Sequence, residues 1–335
     1  MTCPVCDANA ALAFPSHPGY RRGQSYDIYT CPACGVAFAD PLRSDPAVYE
    51  AIYAHAGRVP GYERYARYAA TVASSRSPLR LLARSEDVYF AIAQTLAALR
   101  LPRGARILEL GSGLGYLTYA LRRAGYDAQG RDVSEVAVRA ARERFGPHYT
   151  AANAERLDGE GGYDLVILTE TIEHVEDPAA LLRAAAGLLA PRGALLLTTP
   201  NKDYYGAGVV WHTDPPPVHL WWFSERSMAV LAARCGLRVE YVDFAEYHRA
   251  HPWERPPVLP RGVPTYAPVL DERGETIVAV TPPERRGLFP LNRSVVVPLA
   301  TAIRRMLVPP RRHTVLAPEP RERRPTMAVL AVRAQ

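Results

Sequence analysis

Between residues 106 and 199 the chain alternates strand-like with helix-like segments, and this alternation restricts the fold more than any other feature. Strand-like runs fall at 106–110, 127–133, 148–153, 163–169 and 193–199. Helix-like runs fall at 115–124, 134–145 and 178–190. A further helix at 224–235 precedes a strand at 237–244, and MAVLAVRA near the end of the chain reads as a last strand. Strands separated by helices predict a parallel sheet covered on both faces. The expected class is therefore α/β, a doubly wound Rossmann-like sheet, with ligands at the carboxyl ends of its strands near the switch point.

The first strand runs into ILELGSGLGYLTYAL (107–121), where Gly111, Gly113 and Gly115 stand at alternate positions before a helix. Strand, glycine turn and helix together suit a nucleotide-like ligand at a helix N-terminus. Two phosphate-binding devices do not match. The dinucleotide pattern G-x-G-x-x-G would need glycine where the chain has Tyr116, and no Gly-Lys-Ser/Thr follows for a P-loop. Glu109, just before the turn, would repel a phosphate and attract an ammonium. Asp132 ends the second strand about 20 residues past the turn, where an acid can take both hydroxyls of a ribose. The implied ligand has a ribose, a positive amine and no phosphate.

E-x-G-x-G-x-G, Asp132, YDLVILTETIEHVEDP and GALLLTTPN together resemble the class I S-adenosylmethionine-dependent methyltransferases over about residues 85–247. The resemblance implies that Glu109, Gly111, Gly113 and Gly115 surround the methionine end of the cofactor and that Asp132 holds the ribose. It places Asn153, in A-N-A, at the adenine edge, and Thr169 and Glu170 beside the sulfonium. With the N-terminal cysteines and PPVHLWWFS (216–224), the chain looks closest to a bacterial subgroup with a zinc ribbon before the methyltransferase domain. Many relatives there act on sugars or glycans. The sugar C-methyltransferases in that neighbourhood carry a His-rich segment before Tyr-Phe-Ser where this chain has VHLWWFS.

In such an enzyme the protein aligns an activated methyl donor with a nucleophile, and a base near neutrality helps a hydroxyl to react. Glu173 and His174 lie just beyond the fourth strand, and His219 lies in the segment after the fifth. These three are the candidate catalytic residues; bracing of a loop is the plainer role for the Glu-His pair. Trp221 and Trp222 are candidates for stacking on a sugar face or for the core. Tyr204, Tyr205, His212 and HPWER (251–255) are further candidates near the substrate.

Cys3-Pro-Val-Cys6 and Cys31-Pro-Ala-Cys34 form two C-x2-C knuckles. Four thiolates in that spacing suit a closed tetrahedral zinc site, structural because no position is left for water. Disulfides are the competing reading, poorly suited to a reducing compartment. The expected organisation is a zinc ribbon at 1–45, a helical lid or linker at 46–100 and a cofactor-binding domain at 101–247. A Pro/Arg-rich insertion at 248–324 and a final strand at 325–335 complete it. Tyr62, Tyr65 and Tyr68 recur at helical spacing, to pack on the core or to cover a substrate.

Lys202 is the only lysine, so arginine supplies nearly all of the basic charge behind the net +6. Residues 245–335 carry 15 Arg against 8 Asp+Glu, which makes the insertion basic and the remainder near neutral. The charge is modest for a nucleic-acid binder. The amphipathic stretch Ser294–Leu307 has few large apolar residues, so packing on the domain or its substrate is favoured over peripheral membrane contact. No apolar run is long enough to span a membrane, and the N-terminus lacks a signal-peptide pattern, so a cytoplasmic location is expected. The expected activity is O-methylation of a sugar-like or natural-product hydroxyl on a small-molecule or glycan acceptor. A sugar C-methyltransferase, an RNA methyltransferase and a non-catalytic zinc-ribbon scaffold are the alternatives; the absence of an NPPY-like motif counts against base methylation of RNA.

Overall fold

A computed structural model describes residues 1–152, 161–205, 214–251, 268–277 and 315–334. The chain begins with three antiparallel strands, β1 (Ala11–Pro18), β2 (Ser25–Thr30) and β3 (Ala37–Asp40). Four helices follow: α1 (Pro46–Ala54), α2 (Glu63–Thr71), α3 (Pro78–Ala83) and α4 (Asp87–Leu99). The start of α1 is encoded locally. The Asp45 carboxylate accepts from the Ala47 N–H, and Pro46 occupies the first turn, where its missing N–H costs nothing.

The alternating region then gives β4 (Arg106–Leu110), α5 (Tyr116–Arg123), β5 (Asp127–Asp132), α6 (Glu135–Phe145), β6 (Tyr149–Ala151) and β7 (Tyr163–Thr169). It continues through α7 (Pro178–Gly187), β8 (Leu189–Pro200), α8 (Lys202–Tyr205), β9 (Trp221–Trp222), α9 (Glu225–Arg234) and β10 (Leu237–Val242). Last come α10 (Ala245–Ala250), β11 (Leu316–Ala317) and β12 (Thr326–Arg333). Eight strands form one sheet in the order β11-β10-β12-β8-β7-β4-β5-β6. The block β8-β7-β4-β5-β6 is parallel, and β12 inserts antiparallel between β8 and β10. Strand order reverses beside β4, so a crevice opens there at the carboxyl ends.

Successive residues of the central strands serve opposite faces. Leu108, Leu110, Val166 and Leu168 join a core with α7 and α9, whereas Ile107, Leu165 and Ile167 join one with α4 and α5. The expected helix 178–190 ends early, at Gly187, and Leu189 already pairs with Tyr163. Pro191 has no N–H to donate inside a helix and is better placed in the irregular start of β8.

The N-terminal strands do not stand apart. β9 pairs antiparallel with β3, placing Ala37 opposite Trp222 and Phe38 opposite Trp221. Both tryptophans are buried, and Trp221 Nε1 donates to the Val175 carbonyl at 2.8 Å. They form the seam between the two sheets, which removes them as stacking partners for a sugar. Part of the 248–324 tract is also attached. Val269 and Leu270 donate their N–H groups to the Tyr20 carbonyl and pack with Val48, Ile52 and Tyr62, and β11 forms the sheet edge. The stretch Ser294–Leu307 lies outside the described residues. No helix among the described residues is long and apolar enough to cross a membrane.

Trp221→Ala should therefore destabilise the protein by about 3–5 kcal/mol, through the cavity and the orphaned Val175 carbonyl. Urea unfolding followed by circular dichroism measures this; an unshifted midpoint would mean that the seam contributes nothing.

Candidate active site

A cavity of about 1020 Å³ lies at the carboxyl ends of β4, β5 and β7. Its floor is the glycine turn. Gly113 has φ +47°, and a Cβ there would come within 3.0 Å of the Tyr53 hydroxyl, so the backbone is left bare toward the cavity. Its N–H donates to Asp132 Oδ2 at 2.7 Å, and the Ser134 N–H donates to Oδ1 at 2.9 Å. Those bonds use two of the carboxylate's four acceptor positions. Gly111 also lines the cavity, but Gly115 does not. A Cβ on Gly115 would strike the Tyr149 ring at 2.6 Å and Ala141 Cβ at 2.7 Å, so this glycine serves packing behind the turn.

Glu109 lines the same floor and is 3 % exposed. The Thr118 hydroxyl donates to its Oε2. Burial pushes the Glu109 carboxyl up to about 8, against the pull of the Thr118 hydrogen bonds. Asp132 is likewise raised by burial, opposed by the Ser134 and Gly113 amides. The charges acting on the two are other carboxylates, Asp132 on Glu109 and Glu50 on Asp132. Both groups thus lack a compensating cation, and the neighbouring Ser112 hydroxyl is buried without a hydrogen-bond partner. Bare glycine backbone, two carboxylates and unused polar atoms fit a ligand with an amine and a ribose. Asn153, expected at the adenine edge, lies outside the described residues.

Thr169 and Glu170 line the next wall. Glu170 has φ +48°, a left-handed conformation that costs on the order of 1 kcal/mol outside glycine. Its N–H donates to the Thr198 carbonyl and hydroxyl, both at 3.1 Å, which holds it there. Burial raises its carboxyl to about 7.

Just beyond, two chain segments bring Glu173, His174 and His219 together. The Leu220 N–H donates to the Glu173 carbonyl at 2.8 Å. The Val218 carbonyl accepts from His174 Nδ1 at 2.6 Å and from the Tyr49 hydroxyl at 2.9 Å. A carbonyl can only accept, so this bond fixes the His174 proton on Nδ1. Nε2 is 3.8 Å from Glu173 Oε1, and the His174 and His219 ring centroids are 4.7 Å apart. Glu173 is fully buried, and neither carboxylate oxygen has a hydrogen-bond partner. Burial, with Glu170 adding to it, raises the Glu173 carboxyl well above its usual range, against the pull of the Thr199 hydroxyl. Burial lowers His174 to about 4, partly offset by the Val218 and Glu170 carbonyls, and lowers His219 well below its ordinary value, with His174 adding to the effect. Both imidazoles are neutral at physiological pH. Their small proton affinity makes them weak general bases.

The roof comes from α1 and α2. Tyr49, Tyr53, Tyr62 and Tyr65 face the cavity. Tyr68 turns into the core against Tyr89 and Tyr116, so the expected tyrosine row is divided between site and packing. Tyr49 and Tyr53 were missed by sequence reasoning, although their four-residue spacing puts them on one helix face. Tyr205 reaches the cavity wall, Tyr204 stacks edge-on against it, and His212 is outside the described residues. The cavity is acidic: Glu86, Asp87, Glu109, Asp132, Glu170, Glu176 and Asp214 line it, against Arg64 and Arg324.

Away from the cavity, Cys3, Cys6, Cys31 and Cys34 bring their sulfurs within 4.8 Å of one another. Cys3–Cys34 and Cys6–Cys31 are 3.8 and 3.5 Å apart, far too long for disulfides. Sulfurs tetrahedrally placed about 2.3 Å from one ion would be about 3.8 Å apart. Cys235 is half-buried, and its thiol donates to the Ala179 carbonyl.

A family model described as a methyltransferase domain matches residues 83–242. A ubiquinone biosynthesis O-methyltransferase from Xanthomonas axonopodis pv. citri (strain 306) is 31% identical over 168 residues, 45% of this chain and 69% of that protein. The same-named protein from Caulobacter sp. (strain K31) is 35% identical over 132 residues, 35% of this chain and 52% of that protein. The chain thus spans about half the length of the first curated relatives it matches. A solved S-adenosylmethionine-dependent methyltransferase from Mesorhizobium loti is 22% identical, with a TM-score of 0.40, covering 48% of this chain and 89% of that one. The chain belongs to the class I S-adenosylmethionine-dependent methyltransferases.

Thr118→Val should raise the Glu109 carboxyl further above 8, because the hydroxyl that favours its charged form is lost. Carboxyl-carbon NMR titration reads this directly; an unchanged midpoint would mean that the hydrogen bond has no electrostatic effect.

Proposed function

We propose that the protein transfers a methyl group from S-adenosylmethionine to a hydroxyl of a neutral or cationic small molecule. In this reading Glu109 faces the methionine amine, Asp132 takes the ribose hydroxyls, Gly111 and Gly113 give the cofactor bare backbone, and Thr169 and Glu170 flank the sulfonium. Asn153 keeps its proposed place at the adenine edge. The bound sulfonium supplies an electrophilic methyl. The protein's own task is alignment: the tyrosine roof and the Glu173-His174-His219 wall bring the acceptor oxygen into line and keep bulk water away.

One observation carries the reading. Two buried carboxylates without a cation flank a bare glycine backbone at the switch point of a parallel sheet. The acidic lining supports an uncharged or positive acceptor and disfavours a polyanion such as RNA. The named relatives act in ubiquinone biosynthesis, which supports a small-molecule hydroxyl; a sugar or glycan hydroxyl is the narrower form of the same proposal. We assign the four-cysteine cluster to one structural zinc ion, and the ribbon, roof, methyltransferase sheet and basic tract to the divisions expected from the sequence.

Calorimetry should give a dissociation constant for S-adenosylmethionine in the micromolar range, about −7 to −8 kcal/mol. Asp132→Ala should weaken binding by at least about tenfold, a loss of about 1.4 kcal/mol. The proton balance adds a check. Free Glu109 titrates near 8, so at pH 7 it is mostly protonated, and an ammonium beside it favours the carboxylate. Binding at pH 7 should release a proton and tighten as pH rises toward 8; Glu109→Gln should abolish that release. Equal binding heats in buffers of different ionisation enthalpy would count against the assignment. The zinc assignment predicts one tightly held zinc per chain by elemental analysis, lost in Cys6→Ser.

A further inference from the structure

We propose that the metal-bound state of the four cysteines holds the histidine wall of the cavity in place, so that loss of the metal releases the wall while S-adenosylmethionine binding survives. The link is the segment 216–224, which the cysteine-bearing sheet grips along its length. The Tyr20 N–H donates to the Pro216 carbonyl at 2.7 Å, and the Ala39 N–H donates to the Leu220 carbonyl at 2.9 Å. Trp221 and Trp222 pair with Phe38 and Ala37. The Ser224 hydroxyl donates to the carbonyl of Cys34, itself one of the cysteines. His219 thus stands between two anchored neighbours, Pro216 and Leu220.

Both knuckles meet the methyltransferase domain. Gly35, just after the second, has φ +87°, and a Cβ there would come within 2.7 Å of Ser224 Oγ, so bare backbone lets the two segments close. Arg234 on α9 donates to the Val5 carbonyl inside the first knuckle at 2.8 Å. An ion shared by four thiolates supplies folding energy that so small a unit draws from little else. The second knuckle joins β2 to β3, so β3 depends on it. β9 has two residues and lies at the edge of the sheet with β3 as its neighbour. So short a strand keeps its place only while that neighbour does.

The wall is bonded to this segment, whereas the floor is closed from within. The Leu220 N–H donates to the Glu173 carbonyl, His174 Nδ1 donates to the Val218 carbonyl, and Trp221 Nε1 donates to the Val175 carbonyl. The bonds that shape the floor run inside residues 109–134: Thr118 to Glu109, Gly113 and Ser134 to Asp132, and Gly111 and Ser112 to the Arg131 carbonyl. Tyr20, Ala39 and Ser224 are therefore positioning residues, which act through His174 and His219 and do not touch the acceptor. The consequence for turnover rests on the methyl-transfer reading. Moving an aligning wall by about 1 Å costs roughly a hundredfold in rate.

The test uses the full-length protein with isotope-labelled histidine, followed by NMR. The His174 and His219 ring signals are assigned by their loss in His174→Gln and His219→Ala. Zinc is withdrawn with a strong chelator under reducing conditions and later restored. The zinc-free protein should bind S-adenosylmethionine within about threefold of the zinc-loaded affinity, which also certifies that the methyltransferase sheet is folded. Its His174 and His219 signals should shift or broaden, and should return with zinc. Ser224→Ala should keep one zinc per chain and its cofactor affinity, yet move the His219 signal; Ser224→Thr, which restores the hydroxyl, should move it less. Unchanged histidine signals in the zinc-free protein, a larger loss of cofactor affinity, or a wild type that holds no zinc would each overturn the proposal. A zinc-loaded wild type that never binds S-adenosylmethionine would sink the functional reading, and the histidine signals would still decide whether metal and wall are coupled.

Discussion

Buried carboxyl groups without an internal cation set the terms for the rest of this molecule. Glu109, Asp132 and Glu173 sit at or just past the ends of three neighbouring parallel strands, each in surroundings that disfavour its ionised form. Such groups reduce stability unless something positive arrives. The rigid sheet keeps them in place, since β4, β5 and β7 pair continuously and carry apolar side chains on both faces. Burial that raises the carboxyl groups also lowers the histidines, so the whole cavity favours incoming positive charge and repels phosphate-rich partners.

The segment 218–224 ties this region to the N-terminal sheet. Val218 accepts from His174 and Tyr49, Leu220 bonds Glu173, and the Leu220 carbonyl accepts from Ala39. Trp221 and Trp222 complete the cysteine-bearing sheet, and the Ser224 hydroxyl donates to the Cys34 carbonyl at 3.0 Å. His219 is therefore fixed from both sides by residues that also anchor the four-cysteine unit.

The alternating sheet was legible because each strand and helix carries its own period and its own stop. β4, β7 and β12 match their expected runs closely. Errors came where tertiary context decides. VHLWWFS shows two aromatics near a candidate histidine, but nothing local says that their partners are Ala37 and Phe38, some 180 residues earlier. Gly115 shares the pattern of Gly111 and Gly113, yet its neighbours Tyr149 and Ala141 come from later elements. The pairing of His174 with His219 could be anticipated from the strand ends, whereas the missing hydrogen bonds of Glu173 could not. Tyr49 and Tyr53 carried a usable four-residue spacing, but a spacing names a face and not what the face covers.

The cavity's roof and its floor come from different stretches of the chain. The glycine turn, Asp132 and the Glu173-His174-His219 wall all lie within 83–242, the span shared with other methyltransferases. Tyr49, Tyr53, Tyr62 and Tyr65 lie outside it, on α1, on α2 and at the residue that leads into α2, between the cysteine-bearing sheet and the shared fold. Substrate choice in such an arrangement can drift by exchanging ceiling residues while the reactive floor stays untouched, which gives one inherited scaffold access to many acceptors.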